Sequence, residues 1–344
     1  MEPKVETLSE YMWFRLWRTK GIGPKAIAFT YHYFHNQGKS IIDMANSTLA
    51  KLTATFPELV GPILSKMKPE EKGILRKEYE MIKNAGLTII HPESEHYPNN
   101  YLNYVEQIGL PPLFFCKGNI SLLKKSGVSI VGSRNVSQEG IEITRKITAT
   151  LTQNGRNIIS GYAKGVDTMA HMGALEARGT TTLVLSYGIN EFKIKRELQN
   201  LDLGSRALLV TQFMPDETWK ARNAMTRNKL ICALSDSVIV IESGPERDEK
   251  GIMSGTFDSA KNAIKMGKKL FVLSPTLFNA IPQGNVDLLK IGGQEVFPNT
   301  IVGDMMSSST PLFLTPPTRI KKERPGQLKL DFKPQHNLPL HPSP

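Results

Sequence analysis

The stretch SGYAKGVDTMAH, residues 160–171, brings glycines together with charged and titratable side chains. Gly161 and Gly165 let backbone N–H groups approach a bound group closely, and the Lys164 ammonium between them pairs with phosphate oxygens. Asp167 stands where it can cap the N-terminus of a following helix. The stretch therefore predicts a phosphate-binding turn, with an ordinary strand-to-helix turn as the alternative.

Two further loops have the same character. GSRNVSQEG contains Arg134, and its Ser137 is a predicted helix N-cap. GPERDEKGIMSGTFDSA again leads into a helical stretch. Helix N-termini carry partial positive charge and a guanidinium pairs with phosphate, so all three loops predict anion contacts. The predicted contact residues of the three loops are Gly132, Ser133, Arg134, Gly161, Lys164, Gly165, Ser254, Gly255 and Thr256.

A basic block in MTRNKLICALS adds Arg227, Asn228 and Lys229 at the predicted start of a helix. Basic side chains at a helix start oppose the helix dipole, which indicates a use other than stability. The block is therefore predicted to join the same anion site. A solvated helix face is the alternative.

Catalytic machinery is not evident in the sequence. His171 has no second histidine or carboxylate at ligand spacing, so we expect no metal; the ring is predicted to pack or to hydrogen-bond Asp167. Glu242 ends an apolar run and is predicted to anchor the neighbouring loop by accepting N–H groups; a general base or a ribose ligand is the alternative. Without a Ser-His-Asp set or paired carboxylates, we expect no enzyme and no cofactor.

Alternation of strand-like and helical segments determines where these loops lie. VSIVG, NIISG, TTLVLS, ALLVT, SVIVIES and KLFVLS are short apolar runs, and most are separated by helical stretches. The pattern predicts an α/β fold with a doubly wound parallel sheet. Ligands of such sheets bind beyond the carboxyl ends of the strands, so the loops should share one edge.

Three regions follow from the pattern along the chain. Residues 1–88 are predicted to form a small helical domain and residues 89–302 the sheet-containing domain. Residues 303–344, rich in proline, serine and lysine, are predicted to be a disordered basic tail.

Composition limits the class of protein. The 344 residues carry a formal net charge of +11, which favours a polyanionic partner such as nucleic acid. No apolar run is long enough to span a membrane and no signal segment is evident, so a cytoplasmic location is expected. Cys116 and Cys232 lie in apolar contexts and are predicted to be packed free thiols.

Several spaced motifs resemble the DNA-processing protein A (DprA/Smf) family. They are VSIVGSRNVSQEG, IISGYAKGVDTMAH, RNKLICALSDSVIVIES, SGTFDSAKNAIKMGKKLFVLS and QGNVDLLKIGG, preceded by HYPNNYLNYVEQIGLPPLFFCKGN. The resemblance covers about residues 90–297. It implies an extended Rossmann-like domain that binds and protects single-stranded DNA and loads the RecA recombinase in natural transformation and recombination, commonly as a homodimer.

The same resemblance assigns roles to matching residues. It implies that Arg134 and Lys164 are DNA ligands and that Arg227 and Asn228 support the groove. Lys229 stands where the family usually has arginine, so a single contact would replace a forked one.

Departures from the family pattern mark this chain as a divergent member. INEFKIKRELQNLDLGSRALLV lacks the family's Tyr-Pro and following Asn, residues 245–251 form a charged insertion, and LSPTLFNAIPQGN lacks a Pro-Gly. The winged-helix domain of some members is expected to be absent. Two alternatives stay open: a nucleotide-sensing module of a defence system, and an enzyme resembling the phosphoribohydrolases of nucleoside monophosphates, whose glycine-rich signature is not reproduced.

The N-terminal helical region offers a second DNA contact. LWRTKGIGPKAIAFTYHY resembles a helix-hairpin-helix (SAM-like) unit, with Gly21, Gly23 and Lys25 in the hairpin. Such hairpins present backbone N–H groups to a phosphate; a helical pair whose turn needs glycine is the alternative. Trp13, Phe14 and Trp17 are predicted to be core residues.

A short apolar island, GQLKLDF, lies in the predicted tail. Gln327, Leu328, Leu330 and Phe332 resemble the peptide by which bacterial proteins dock onto the replisome's sliding clamp. An extended peptide with alternate anchors suits a groove.

Overall fold

A computed structural model describes residues 5–45, 49–60, 63–67 and 72–307. Its β-strands are β1 (Thr88–Ile90), β2 (Phe114–Gly118), β3 (Gly127–Val131), β4 (Asn157–Ser160), β5 (Thr181–Val184), β6 (Ala207–Thr211), β7 (Ser237–Val240), β8 (Lys269–Leu273) and β9 (Gln294–Val296). The α-helices of these residues are α1 (Val5–Arg18), α2 (Pro24–Asn36), α3 (Ile42–Ala45), α4 (Leu49–Thr55), α5 (Lys72–Asn84), α6 (Tyr101–Ile108), α7 (Gln138–Gln153), α8 (Val166–Glu176), α9 (Ala221–Ala233), α10 (Gly255–Lys265), α11 (Gln283–Lys290) and α12 (Ile301–Ser307).

The nine strands of the described residues form one sheet, in the order β1-β2-β6-β5-β4-β3-β7-β8-β9. Strands β3 to β9 are parallel, whereas β1 and β2 extend the sheet as antiparallel strands. The chain winds from β3 outward to β6, then returns to place β7 on the other side of β3. The predicted doubly wound sheet is confirmed, and its switch point lies between the carboxyl ends of β3 and β7.

Helices cover both faces of the sheet, which explains the continuous apolar runs. Apolar side chains of α7 and α8 pack with Val128, Ile130 and Ile158 on one face. Side chains of α9, α10 and α6 pack with Val131 and Val184 on the other. The carboxyl edge of the sheet is therefore flanked by helix N-termini from two opposite layers.

The N-terminal helices pack on the antiparallel end of the sheet. Trp13 and Phe14 are fully buried there, as predicted for core residues, and the half-buried Trp17 meets the Phe115 ring edge-on at 5.8 Å. The predicted domain boundary after residue 88 falls inside β1, which pairs with β2. The division into a helical and a sheet domain stays an interpretation of the sequence.

The C-terminal end of the sheet region continues into α12, so the first residues of the predicted tail are helical as far as Ser307. The clamp-like residues Gln327, Leu328, Leu330 and Phe332 lie outside the described residues.

No helix among the described residues has the length and apolarity that crossing a lipid bilayer requires. Both cysteines are buried free thiols, as predicted, and burial raises the pKa of Cys232 to about 12.

Candidate nucleic-acid interface

The three predicted loops meet at one edge of the sheet. The Ser133 N–H donates to the Glu242 carbonyl oxygen at 2.8 Å, which joins the loop after β3 to the end of β7. The Val166 N–H donates to the Ser133 carbonyl oxygen at 3.2 Å, which joins the same loop to the start of α8. The loop after β3 is thus held from both sides, at the switch point of the sheet.

Gly165 brings the two central loops into contact. Its φ of +82° and ψ of −131° suit glycine, and a Cβ there would lie 2.3 Å from the Ser133 carbonyl oxygen and 2.7 Å from that of Arg134. Only hydrogen fits at this position. The close approach places the backbone of Arg134 against residue 165, directly after Lys164.

Arg134 and Lys164 are the two cations that this contact brings together. Both side chains are exposed, and neither makes a hydrogen bond or ion pair within the described part of the chain. Their DNA contact stays a prediction.

The first loop is fixed by the cap of α7. Ser137 is the N-cap, as predicted, and its Oγ accepts the Gly140 N–H at 3.1 Å. The Ser137 N–H and hydroxyl donate to Glu242 Oε2 at 2.9 and 2.7 Å. The anchoring role predicted for Glu242 is confirmed, and its carboxylate is occupied by these donors.

Asp167 does not cap α8, so this prediction was wrong. The N-cap is Gly165, and Asp167 lies in the first turn, where its Oδ2 accepts the Ala163 N–H at 3.2 Å. The carboxylate therefore closes the loop back on itself rather than capping the helix.

Arg227 lies beneath the loop after β4. Its side chain is 4% exposed and Nη1 donates to the Val184 carbonyl oxygen at the end of β5. A Cβ on Gly161 would lie 2.2 Å from that nitrogen and 2.3 Å from Asp167 Oδ2. Burial lowers the pKa of Arg227; the charge of Asp167 raises it and that of Arg134 lowers it. The guanidinium supports the loop from the α9 side of the sheet.

The remaining residues of the basic block also point inward. Asn228 Nδ2 donates to the Gly255 carbonyl oxygen at 3.1 Å, and Lys229 Nζ donates to that of Ile108 at 3.2 Å. The helix starts at Ala221, so the predicted start at Arg227 was wrong: buried Asn223 and Ala224 already belong to its packed face. The DNA contacts predicted for these residues stay predictions.

The third loop brings Ser254, Gly255 and Thr256 to the start of α10. Ser254 Oγ caps the helix by accepting the Phe257 N–H at 3.3 Å, Gly255 is exposed, and Thr256 is buried. The charged insertion before them folds as a short hairpin. Asp248 Oδ1 accepts two backbone N–H groups, and the backbones of Arg247 and Met253 pair as an antiparallel β-bridge.

Lys195 is a supporting residue that sequence reasoning missed. Its Nζ donates to the Ala163 carbonyl oxygen and to Thr168 Oγ1, both at 2.8 Å, and lies 4.4 Å from the Tyr162 ring centroid. Burial lowers its pKa. It comes from an irregular segment without periodic spacing, so no local signal identifies it.

His171 fixes the loop from below. Nε2 contacts the Gly161 carbonyl oxygen and Nδ1 lies 2.7 Å from Thr181 Oγ1. The predicted packing is confirmed, but Asp167 as hydrogen-bond partner was wrong, because that carboxylate turns toward Ala163. Burial lowers the pKa of the imidazole to about 4.

We expect acid to destabilise the chain through this group. With a folded pKa of about 4 and an ordinary value near 6.5 when unfolded, the unfolded state binds the proton first as the pH falls. Stability contributed by neutral His171 should fall by roughly 2 kcal/mol between pH 7.5 and 5. Urea unfolding at both pH values checks this: His171→Gln should show a smaller pH-dependent loss than the wild type, and an equal loss would contradict it.

The predicted hairpin joins α1 to α2. Gly21 has a φ of +85°, Gly23 is the N-cap of α2, and Lys25 is exposed in its first turn. Lys66, which the sequence did not indicate, donates from Nζ to the Gly21 carbonyl oxygen at 2.8 Å. The hairpin thus gathers cations around exposed backbone, and its DNA contact stays a prediction.

Comparison with protein-family models matches residues 88–306 to the family described as DNA recombination-mediator protein A. The DNA processing protein DprA of Bacillus subtilis is 28% identical over 218 residues, which cover 62% of this chain and 70% of that protein. The Streptococcus pneumoniae protein of that name is 32% identical over 188 residues, which cover 54% and 64%. Protein Smf of Escherichia coli is 31% identical, covering 59% and 52%. The match thus spans about half to seven tenths of these relatives' lengths.

Two solved structures are similar over much of the chain. The crystal structure of DNA processing protein A from Streptococcus pneumoniae covers 86% of this chain and 97% of its own, with a TM-score of 0.64 and 26% identity. DNA processing protein A of Helicobacter pylori, whose structure addresses its single-stranded DNA binding mode, covers 64% and 96%, with a TM-score of 0.52 and 25% identity.

Proposed function

Because the chain belongs to the DNA recombination-mediator protein A family, we propose that it binds single-stranded DNA along the carboxyl edge of its parallel sheet. The sugar-phosphate backbone would cross the loops after β3 and β4 and the start of α10. The similarity to the Helicobacter pylori protein supports this ligand class. We propose binding without catalysis.

The proposal rests above all on the contact between the loops of Arg134 and Lys164. Two exposed cations, without partners among the described residues, belong to loops whose backbones touch at the switch point of a doubly wound sheet. Unpaired cations there gain more from a bound phosphate than cations already held in ion pairs. The N-termini of α7, α8 and α10 lie at the same edge, but each already has a carboxylate close to it, from Glu242, Asp167 and Asp258 respectively, so the two cationic side chains carry the proposal.

Phosphate-led binding sets the expected specificity. Contacts to phosphate and sugar position a nucleic acid but carry no sequence information. We therefore expect little sequence preference and a steep dependence on salt.

Binding to oligonucleotides tests the function. Fluorescence anisotropy should show tighter binding of a labelled single strand than of the matching duplex, with affinity falling as salt rises. Calorimetry with nucleoside monophosphates is the companion measurement. Nucleotide binding without oligonucleotide binding would point to a sensing module instead, and release of free base would point to an enzyme.

Further partners follow from the family. We propose that the chain helps a RecA-type recombinase to assemble on single strands in the cytoplasm, and that it works as a homodimer. The exposed apolar side chains Ile281, Ile291 and Phe297, which precede α11, follow it and follow β9, are candidate contacts for self-association. Sedimentation of the full chain tests the dimer, and filament assembly on protein-coated single strands tests the mediator role.

Clamp docking through residues 327–332 stays a proposal from the sequence.

A further inference from the structure

Trp219 is an unusually exposed tryptophan. It is 52% exposed, whereas Trp13 is fully buried and Trp17 half-buried. It stands in the short connection between β6 and α9. A large apolar ring held in solvent is an informative exception to the usual burial of such side chains.

The connection lies at the same sheet edge as the phosphate-facing loops. Strand β6 is parallel to β5, so both strands end at this edge. Arg227, in the middle of α9, reaches the Val184 carbonyl oxygen at the end of β5. The residues of α9 before Arg227 extend the helix by about 9 Å from that point toward its N-terminus at this edge, at 1.5 Å per residue. Trp219 therefore stands at the rim, on the α9 side of the groove.

Its backbone support is well defined. The Gly188 N–H donates to the Glu217 carbonyl oxygen at 2.7 Å, and Asn223 Nδ2 donates to Glu217 Oε1 at 3.0 Å. A Cβ on Gly188 would lie 2.1 Å from the Met214 carbonyl oxygen, so the two connections are in close contact. The ring thus projects from a fixed base rather than from a loose loop.

Two basic residues follow Trp219 in the chain. Lys220 and Arg222 are exposed at the start of α9, whose first turn has no acidic residue. Lys220 Nζ lies 3.7 Å from Glu217 Oε1, and Arg222 has no ion-pair partner within the described residues. Cations at a helix start are unfavourable for the helix itself, which indicates an external anion. An exposed aromatic ring near exposed basic side chains is the combination that binds single-stranded nucleic acid.

We propose that Trp219 stacks on a base of the single strand whose phosphates meet Arg134 and Lys164. This inference rests on the proposed function. Bases within a duplex are already stacked on one another, so only an unpaired strand can offer a free base to the ring. Trp219 would therefore contribute to the preference for single strands over duplex.

The experiment compares Trp219→Ala and Trp219→Phe with the wild type, using a labelled thymidine oligonucleotide and an abasic one of equal length. Trp219→Ala should bind the thymidine strand about fivefold or more weakly and the abasic strand equally well. If a base stacks on Trp219, binding of the thymidine strand should quench the tryptophan fluorescence of the wild type. Trp219→Phe should retain most of the affinity but lose most of this quenching. Ile264→Ala, at the opposite end of α10, removes another exposed apolar side chain as the control.

The outcomes separate this inference from the proposed function. Unchanged thymidine-strand affinity for Trp219→Ala, or full quenching in Trp219→Phe, overturns the stacking role while leaving the DNA interface intact. If the wild type binds neither strand, both proposals fail.

Discussion

The double variant Arg134→Ala/Lys164→Ala should bind a single-stranded oligonucleotide at least about a hundredfold more weakly than the wild type, since each charge-assisted hydrogen bond contributes roughly 1.5–3 kcal/mol. The two side chains are exposed and unpaired within the described residues, so truncation leaves the fold untouched. If both cations contact phosphate, the dependence of log affinity on log salt should flatten by about 1.4, twice the value of one single-strand contact. Anisotropy across a salt series measures both effects.

A matched control separates local contact from overall charge. Lys265→Ala/Lys269→Ala also removes two positive charges from a formal net charge of +11, but at the end of α10 and the start of β8, on the opposite edge of the sheet. It should retain most of the affinity. Equal weakening by the two double variants would mean that net charge, rather than this groove, attracts the nucleic acid.

Gly165→Ala should destabilise the chain by about 3 kcal/mol or more, as positive-φ strain of roughly 1–2 kcal/mol adds to crowding of roughly 1–3 kcal/mol. The new Cβ would meet carbonyl oxygens of Ser133 and Arg134, which are backbone atoms and cannot rotate away. Relief requires the two loops to separate, so DNA affinity should fall together with stability. Urea unfolding and anisotropy on the same preparation measure the two effects.

Gly155→Ala is the control for strain alone. Gly155 also has a positive φ, +75°, but a Cβ there meets nothing within 4 Å. Its substitution should cost only the conformational part, about 1–2 kcal/mol, and leave DNA binding unchanged. A Gly165→Ala variant no less stable than Gly155→Ala would contradict the close contact between the loops.

Strand identity and loop position could be predicted from the sequence because they follow from local pattern. Apolar runs such as SVIVIES are long enough to identify buried strands, and parallel strands bring their ends to one edge. The grouping of Arg134 with Lys164 follows from that rule. The cap of Ser137 likewise depends on near neighbours.

Contacts made over longer distances could not be predicted. Lys195 reaches the loop of Ala163 from an irregular segment, and Lys66 reaches Gly21 from beyond the helical pair. Arg227 carries its charge inside the protein, because α9 begins earlier than the basic block suggests. Such placements depend on how layers pack, which no spacing within one segment records.

Arg227 links the two faces of the sheet. It starts from α9 on one face and ends beside Gly161 and Asp167, which belong to the α8 side. One guanidinium thus lies against residues from both helical layers. The turn that carries Lys164 is thereby held by side chains from both layers, so we expect the rim that faces the ligand to be as rigid as the packed layers beneath it.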